Sequence, residues 1–224
     1  MKERHALKAA RAKPLRSRKV SLTIASNLKK KRMNRQVFFL HSAGAQGPHE
    51  GSSDFVGWLT DTLGSACNVL YPKMPNPEEP DYESWKAELR KELAKLGGEL
   101  AFVGHSLGGS VLLKYLVEEP FKNPIAGMFL VSVPFWGGDE DWQHESFRLP
   151  KDFARKLPRI PRIFLYHSVN DPIVPFAHHR LYAEALPHAT IRKLKGNEHT
   201  FSQGLPELAA DIQRLKETTS SDYQ

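Results

Sequence analysis

Three residue types that together can cleave an acyl bond occur in this chain in a telling order. Residues 104–108 read Gly104-His105-Ser106-Leu107-Gly108, a G-x-S-x-G pattern directly after the apolar run Leu100–Val103 and directly before a stretch with helical spacing. A serine hydroxyl is a weak nucleophile until a neighbouring base takes its proton, and that base needs an acid to fix its tautomer. Downstream, Asp171 follows the apolar run Ile163–Tyr166, and His199 lies in Gly196-Asn197-Glu198-His199-Thr200 after the weaker run Ala189–Leu194. A strand-to-helix serine finds its partners in the order serine, acid, histidine. With Gly near 7% of residues, a bare G-x-S-x-G arises by chance in about one chain in fifteen of this length. The strand before it, the helix behind it and two partners each just past a strand remove most of that risk.

The glycines have a steric reading. A nucleophile at such a junction sits on a sharp, strained turn, and a β-carbon at Gly104 or Gly108 would collide with the neighbouring strand or helix. An oxyanion needs two N–H donors. Leu107, at the start of the helix, supplies one, and the loop His41-Ser42-Ala43-Gly44-Ala45 after the first strand supplies the other, from Ala43 or, as the alternative, Ser42. Rival acid–base residues are weaker candidates. His41 and His105 precede Asp171 and read as structural or pocket-lining, His178-His179 as helix-capping or surface residues, and Asp139, Glu140 and Asp141 as a solvated acidic patch. Segment Pro134–Pro150 carries Phe135, Trp136, Trp142 and Phe147. These aromatics are expected to form a short flap over an apolar acyl or alkyl pocket, with Phe135, Trp136 and Trp142 touching substrate; simple packing onto the body is the alternative.

The elements that must position these residues follow from patterning. Short, poorly alternating apolar runs at Val37–Leu40, Val69–Tyr71, Leu100–Val103, Met128–Val133, Ile163–Tyr166 and Ala189–Leu194 read as strands buried on both faces. Between them, Asp81–Leu96 sets Tyr82, Trp85, Leu89, Leu93 and Leu96 on one helical face and stops at Gly97-Gly98; Ser106–Val117, Phe176–Leu186 and Leu205–Leu215 read similarly. Alternating strands and helices predict the α/β class, a mostly parallel sheet with helices on both faces.

Charge divides the chain. The formal charge is +7, yet residues 1–35 hold 13 Lys/Arg against one acid, while residues 36–224 hold 19 against 24. Residues 1–35 are therefore expected to be a solvated, disordered basic extension on a catalytic domain of residues 36–224. An organelle transit peptide is the second reading of this Arg-rich, acid-poor segment, and Met33 offers an alternative start for the domain. Its basic runs lack interleaved aromatics, so the tail predicts only non-specific attraction to an acidic partner, not specific nucleic-acid binding. No run approaches the roughly 20 apolar residues of a membrane span. A single cysteine, Cys67, excludes an internal disulfide or a Cys-pair zinc site, and with no secretory signal it points to the cytoplasm. No P-loop, G-x-G-x-x-G or H-E-x-x-H occurs, so neither a nucleotide cofactor nor a metal is expected.

Read together, Leu40-His41-Ser42-Ala43-Gly44, Gly104-His105-Ser106-Leu107-Gly108, Asp171-Pro172-Ile173-Val174-Pro175 and His199 resemble the α/β-hydrolase superfamily. More narrowly, the chain is similar to the small serine hydrolases related to retinoblastoma-binding protein 9 and bacterial YdeN. Tyr71-Pro72-Lys73-Met74-Pro75-Asn76-Pro77 and Val131-Ser132-Val133-Pro134-Phe135-Trp136-Gly137 are similar to stretches of that family. The resemblance covers residues 36–216. It implies an α/β sandwich without a large lid domain, Ser106, Asp171 and His199 as the triad, and hydrolysis of small esters. Ser42 stands where many α/β hydrolases have glycine. A Leu-x-Cys-x-Glu motif is absent around Cys67, which is flanked by Ala66 and Asn68 with Val69 at the Glu position, so retinoblastoma-type binding is not expected. Thioesterase, peptidase and acyltransferase chemistry are open to the same triad, and a binding or scaffold protein on this fold is a rival that a missing triad member would favour.

Overall fold

The structure, a computed structural model, describes residues 35–215. The basic extension with its Met33, apart from Arg35, lies outside the described residues, as do residues 216–224. Twelve regular elements follow in order: β1 (Arg35–Leu40), α1 (Ser53–Leu63), β2 (Cys67–Leu70), α2 (Tyr82–Leu93), β3 (Leu100–His105), α3 (Leu107–Glu118), β4 (Ile125–Val131), α4 (Phe153–Lys156), β5 (Ile163–Ser168), α5 (Phe176–Ala185), β6 (Thr190–Leu194) and α6 (Pro206–Gln213). The six strands form one sheet in the order β2-β1-β3-β4-β5-β6, parallel at every pairing.

Burial explains why the strands read as apolar runs rather than as alternating ones. Along β1, Phe38 and Leu40 face a core shared with Trp85 and Leu89 of α2, Val111 of α3 and Tyr182 of α5. Val37 and Phe39 face a second core, built with Phe55 and Leu59 of α1 and Leu208 and Ile212 of α6. Both pleat faces of the sheet are thus covered, the arrangement that parallel sheets require. Helix α2 forms as its spacing predicts. Asp81 caps it by accepting the Ser84 N–H at 2.8 Å, and Trp85, Leu89 and Leu93 are buried along one face. Each such side chain contributes about 1.5–3 kcal/mol of hydrophobic burial.

Two differences from the sequence reading have physical causes. Helix α1 is not among the four helices that periodicity suggested. Phe55, Leu59 and Leu63 do recur at four-residue spacing, but Gly57 and three threonine or serine residues dilute the signal. Strand β4, expected over Met128–Val133, starts at Ile125 and ends at Val131, because Ser132 turns the chain with φ 48°.

The strand order sets the position of the site. From β1 the chain first builds β2 on one side, then crosses back to add β3 on the other. Connections therefore diverge from the carboxyl ends of β1 and β3, which leaves a crevice between them where ligands of open α/β sheets bind. The segments after those two strands are the ones carrying Ser42-Ala43 and Ser106.

Candidate active site

Ser106 occupies the one-residue junction between β3 and α3, with φ 51° and ψ −125°. A non-glycine residue at positive φ is strained, and such strain concentrates at functional sites. The turn closes only because its neighbours lack side chains. A β-carbon on Gly104 would stand 2.4 Å from the Gly109 Cα, and one on Gly108 would stand 2.3 Å from the Leu40 carbonyl oxygen and 2.4 Å from that of His41. Gly109, which the pattern does not include, is just as confined, 2.2 Å from a Val133 methyl. Helix α3 is thereby pressed onto the end of β1, with Leu107 in its first turn.

Asp171 and His199 come from the loops after β5 and β6. The His199 Nδ1 lies 2.8 Å from Asp171 Oδ2 and 3.0 Å from Oδ1. The Asp171 side chain is fully buried, whereas that of His199 keeps 10% exposure. Burial alone would raise the Asp171 carboxyl, but the His199 hydrogen bond and the backbone N–H groups of Val174 and Ile173 outweigh it and hold it below the ordinary carboxylate value. The two loops are also tied to each other: Asn170 N–H donates to the Gly196 carbonyl at 3.0 Å and the Ser168 hydroxyl to that of Glu198. A second histidine, His167, approaches Asp171 Oδ2 at 3.5 Å, but its Nε2 donates to the Val174 carbonyl at 2.8 Å and it is buried.

Ser106 and His199 open into one cleft of about 620 Å³. Ser42, Ala43 and Leu107 line it, together with an apolar wall of Pro134, Trp136, Trp142, Phe147 and Ile173 beside His144. Within the loop after β1, the Ser42 N–H donates to Ser52 Oγ at 3.0 Å and the Gly44 N–H to the Pro77 carbonyl at 2.7 Å. Among the described residues that line the cleft there is one carboxylate, Glu79, and no lysine or arginine. Among the described residues, no group of three or more His, Cys, Asp or Glu could hold a metal ion, and no helix is long and apolar enough to cross a membrane.

Several sequence expectations change at this point. Trp136 and Trp142 reach the cleft, but Phe135 does not. It packs inward against Tyr182 and Phe153, with ring centroids 4.9 and 6.4 Å away. Asp139 is not simply solvated. It accepts from His178 Nε2 at 2.8 Å and from the N–H groups of Asp141 and Trp142, so it pins this segment to α5. His178 and His179 are buried rather than on the surface. His41 is buried and stacked on Trp85, with ring centroids 5.1 Å apart, and takes no part in the cleft. Phe147, which sequence reasoning grouped with the tryptophans over the pocket, and His144, which it did not single out, complete the aromatic wall; a 3-10 turn over Glu145–Phe147 brings their rings to 4.8 Å.

Relatives agree with this architecture. The YdeN protein of Bacillus subtilis (strain 168) is 24% identical over 184 residues, covering 79% of this chain and 92% of YdeN. The crystal structure of the ydeN gene product superposes with a TM-score of 0.65 at 22% identity, over 80% of this chain and 97% of that one. Esterase RhEst1 from Rhodococcus sp. ECU1013 matches with a TM-score of 0.62 at 14% identity, over 83% and 92% of the two chains. A bromoperoxidase from Bacillus anthracis matches at 0.61 and 14% identity, over 80% and 91%. At these identities the structural likeness shows the fold, an α/β-hydrolase fold without a large lid domain, and no particular reaction. The sequence model of the serine hydrolase family matches residues 49–208, well over half of the chain and both segments that carry Ser106 and His199. This chain belongs to the serine hydrolase family.

Proposed function

We propose that this hydrolase is a carboxylesterase-type enzyme that cleaves small esters with Ser106, His199 and Asp171 as its triad. The observation carrying the reading is the meeting of a strained Ser106 with an Asp171-paired His199 in one cleft. Because the Nδ1–H of His199 faces Asp171, Nε2 is the nitrogen left to accept the Ser106 proton. The serine oxygen then attacks the carbonyl carbon, and the charge developing on the carbonyl oxygen meets the N–H of Leu107 at the positive end of α3. Support for Ala43 as the second donor comes from its neighbours: the Ser42 and Gly44 N–H groups are already engaged. His199 returns its proton to the departing alcohol, an acyl-enzyme remains, and a water activated by His199 hydrolyses it. The apolar wall of Trp136, Trp142 and Phe147 suits an uncharged acyl or alkyl group.

Labelling with a fluorophosphonate probe tests the reading. Attachment at Ser106 and loss of esterase activity in Ser106→Ala are expected; an unlabelled native protein, or full activity in Ser106→Ala, overturns it.

A further inference from the structure

The residue that precedes Ser106 lies at the floor of the same cleft, against rings of the second core. His105 is buried between the rings of Phe55, Phe201 and His199. Its two nitrogens are both engaged: Nε2 lies 2.8 Å from the backbone carbonyl of His199, and Nδ1 lies 2.8 Å from Ser52 Oγ. Burial, reinforced by the neighbouring His199, pushes its pKa down to about 3, so the ring is neutral and carries one proton. A carbonyl oxygen only accepts, which puts that proton on Nε2. Nδ1 must then accept, and the Ser52 hydroxyl proton points to it. The Ser52 oxygen is left as an acceptor for the Ser42 N–H at 3.0 Å, with the Ser42 hydroxyl oxygen 3.2 Å away. One arrangement of protons satisfies every member.

The chain of bonds runs from the loop beside the substrate carbonyl to the backbone of the base. Ser42 adjoins Ala43, Ser52 opens α1, and His199 receives the last bond at its own carbonyl. The serine at position 42 thereby has a physical role that glycine could not fill, since its hydroxyl belongs to the chain.

We propose that His105 and Ser52 are positioning residues that lock the His199 loop to the oxyanion loop and so fix the distance between base and oxyanion donor. This rests on the triad reading above. Neither residue needs to touch the reacting atoms. A misplacement of about 1 Å between such groups costs on the order of 10²-fold in rate, so the signature is a loss in kcat with KM nearly unchanged.

The test uses the full chain in four single variants and one double variant, Ser52→Ala/His105→Phe. His105→Phe keeps an aromatic ring among aromatic neighbours but removes both bonds; His105→Gln restores an N–H donor at similar reach; Ser52→Ala cuts the chain at its centre; Ser106→Ala is the control. Steady-state kinetics on p-nitrophenyl butyrate, affinity for a boronic-acid inhibitor and thermal melts are measured on each. Expected are about 10- to 100-fold losses in kcat for His105→Phe and Ser52→Ala, matching losses in boronate affinity, partial recovery in His105→Gln, and a Ser52→Ala/His105→Phe double variant no worse than the poorer single. Should His105→Phe fail to fold, Ser52→Ala and His105→Gln carry the test. Folded Ser52→Ala and His105→Phe with native kcat and boronate affinity, beside an inactive Ser106→Ala, overturn the positioning role and leave the triad standing. An active Ser106→Ala overturns the triad reading itself.

Discussion

The carboxylate of Asp171 meets His199 with both oxygens, but only Oδ1 also receives the N–H groups of Ile173 and Val174, at 2.9 and 3.0 Å. An asparagine at this position has to give its carbonyl oxygen to those backbone donors. Its NH2 then faces His199 Nδ1 and forces the imidazole proton onto Nε2, the nitrogen that should accept from Ser106. Asp171→Asn is therefore expected to fold normally and to lose about 10⁴ in kcat. Esterase kinetics with a circular-dichroism control check this; a variant within tenfold of native kcat contradicts the assignment.

The turn around Ser106 tolerates no added carbon on its glycines. Gly108→Ala directs a methyl group at two backbone carbonyl oxygens, neither of which can rotate aside, and is expected to destabilise by several kcal/mol, on the order of 3 or more. Gly97→Ala, in open space with no positive φ, is the control and should stay within about 0.5 kcal/mol of native. Urea denaturation of the two variants separates a local steric effect from a general intolerance of substitution.

How far the sequence carried these conclusions depended on whether the information was local. Ser106, Asp171 and His199 each follow a strand, so their chain order and the parallel sheet were enough to bring them to one edge. Four helices were legible because their apolar residues recur every three or four positions. Helix α1 was not singled out, although Phe55, Leu59 and Leu63 carry its period, because Gly57 and hydroxyl residues interrupt it. Phe135 and Trp136 are adjacent in sequence yet point to opposite sides, one into the core and one into the cleft. In an irregular loop no period assigns faces, so composition alone suggested that all the aromatics act together. The bonds of His178 to Asp139 and of His105 to Ser52 span 39 and 53 residues and exist only once the sheet has formed.

Trp142 gives the cleanest readout of the apolar wall, since Trp136 is also bonded to Ser110 Oγ through its Nε1. Trp142→Ala should lower kcat/KM for hexanoyl or benzoyl esters by about 10- to 100-fold more than for acetyl esters. Phe135→Leu should instead lower the melting temperature and leave chain-length preference unchanged. A comparison of acetyl, butyryl and hexanoyl p-nitrophenyl esters decides; equal losses across the series would show that Trp142 does not contact the acyl group.

Acid should destabilise the fold well before its carboxylates titrate. Burial lowers His41 to about 4, His105 to about 3 and His179 to about 4, from an ordinary 6.5. As pH falls below 6.5 the unfolded chain takes up protons at these positions while the native state does not, so the native state loses ground until its own low values are reached. Each histidine contributes a slope of up to about 1.4 kcal/mol per pH unit. Asp171, lowered rather than raised, adds its loss only below about pH 4. Denaturation midpoints at pH 7.5, 6 and 5 should fall steadily, and less steeply in His179→Phe. A flat stability between pH 7.5 and 5 contradicts this.

Segment 134–150, the expected flap, is stapled at several points. Lys114 of α3 donates to the Ser146 carbonyl at 2.6 Å, Trp136 donates to Ser110 of the same helix, and Tyr182 and His178 of α5 hold the Pro134 carbonyl and Asp139. These anchors are side chains of helices that belong to the sheet's covering layer, so the flap and its supports form one unit of inheritance. Anyone transplanting the segment to redirect substrate choice must move Ser110, Lys114, His178 and Tyr182 with it. Grafted alone onto another member of the fold, residues 134–150 would arrive without the contacts that give them a shape.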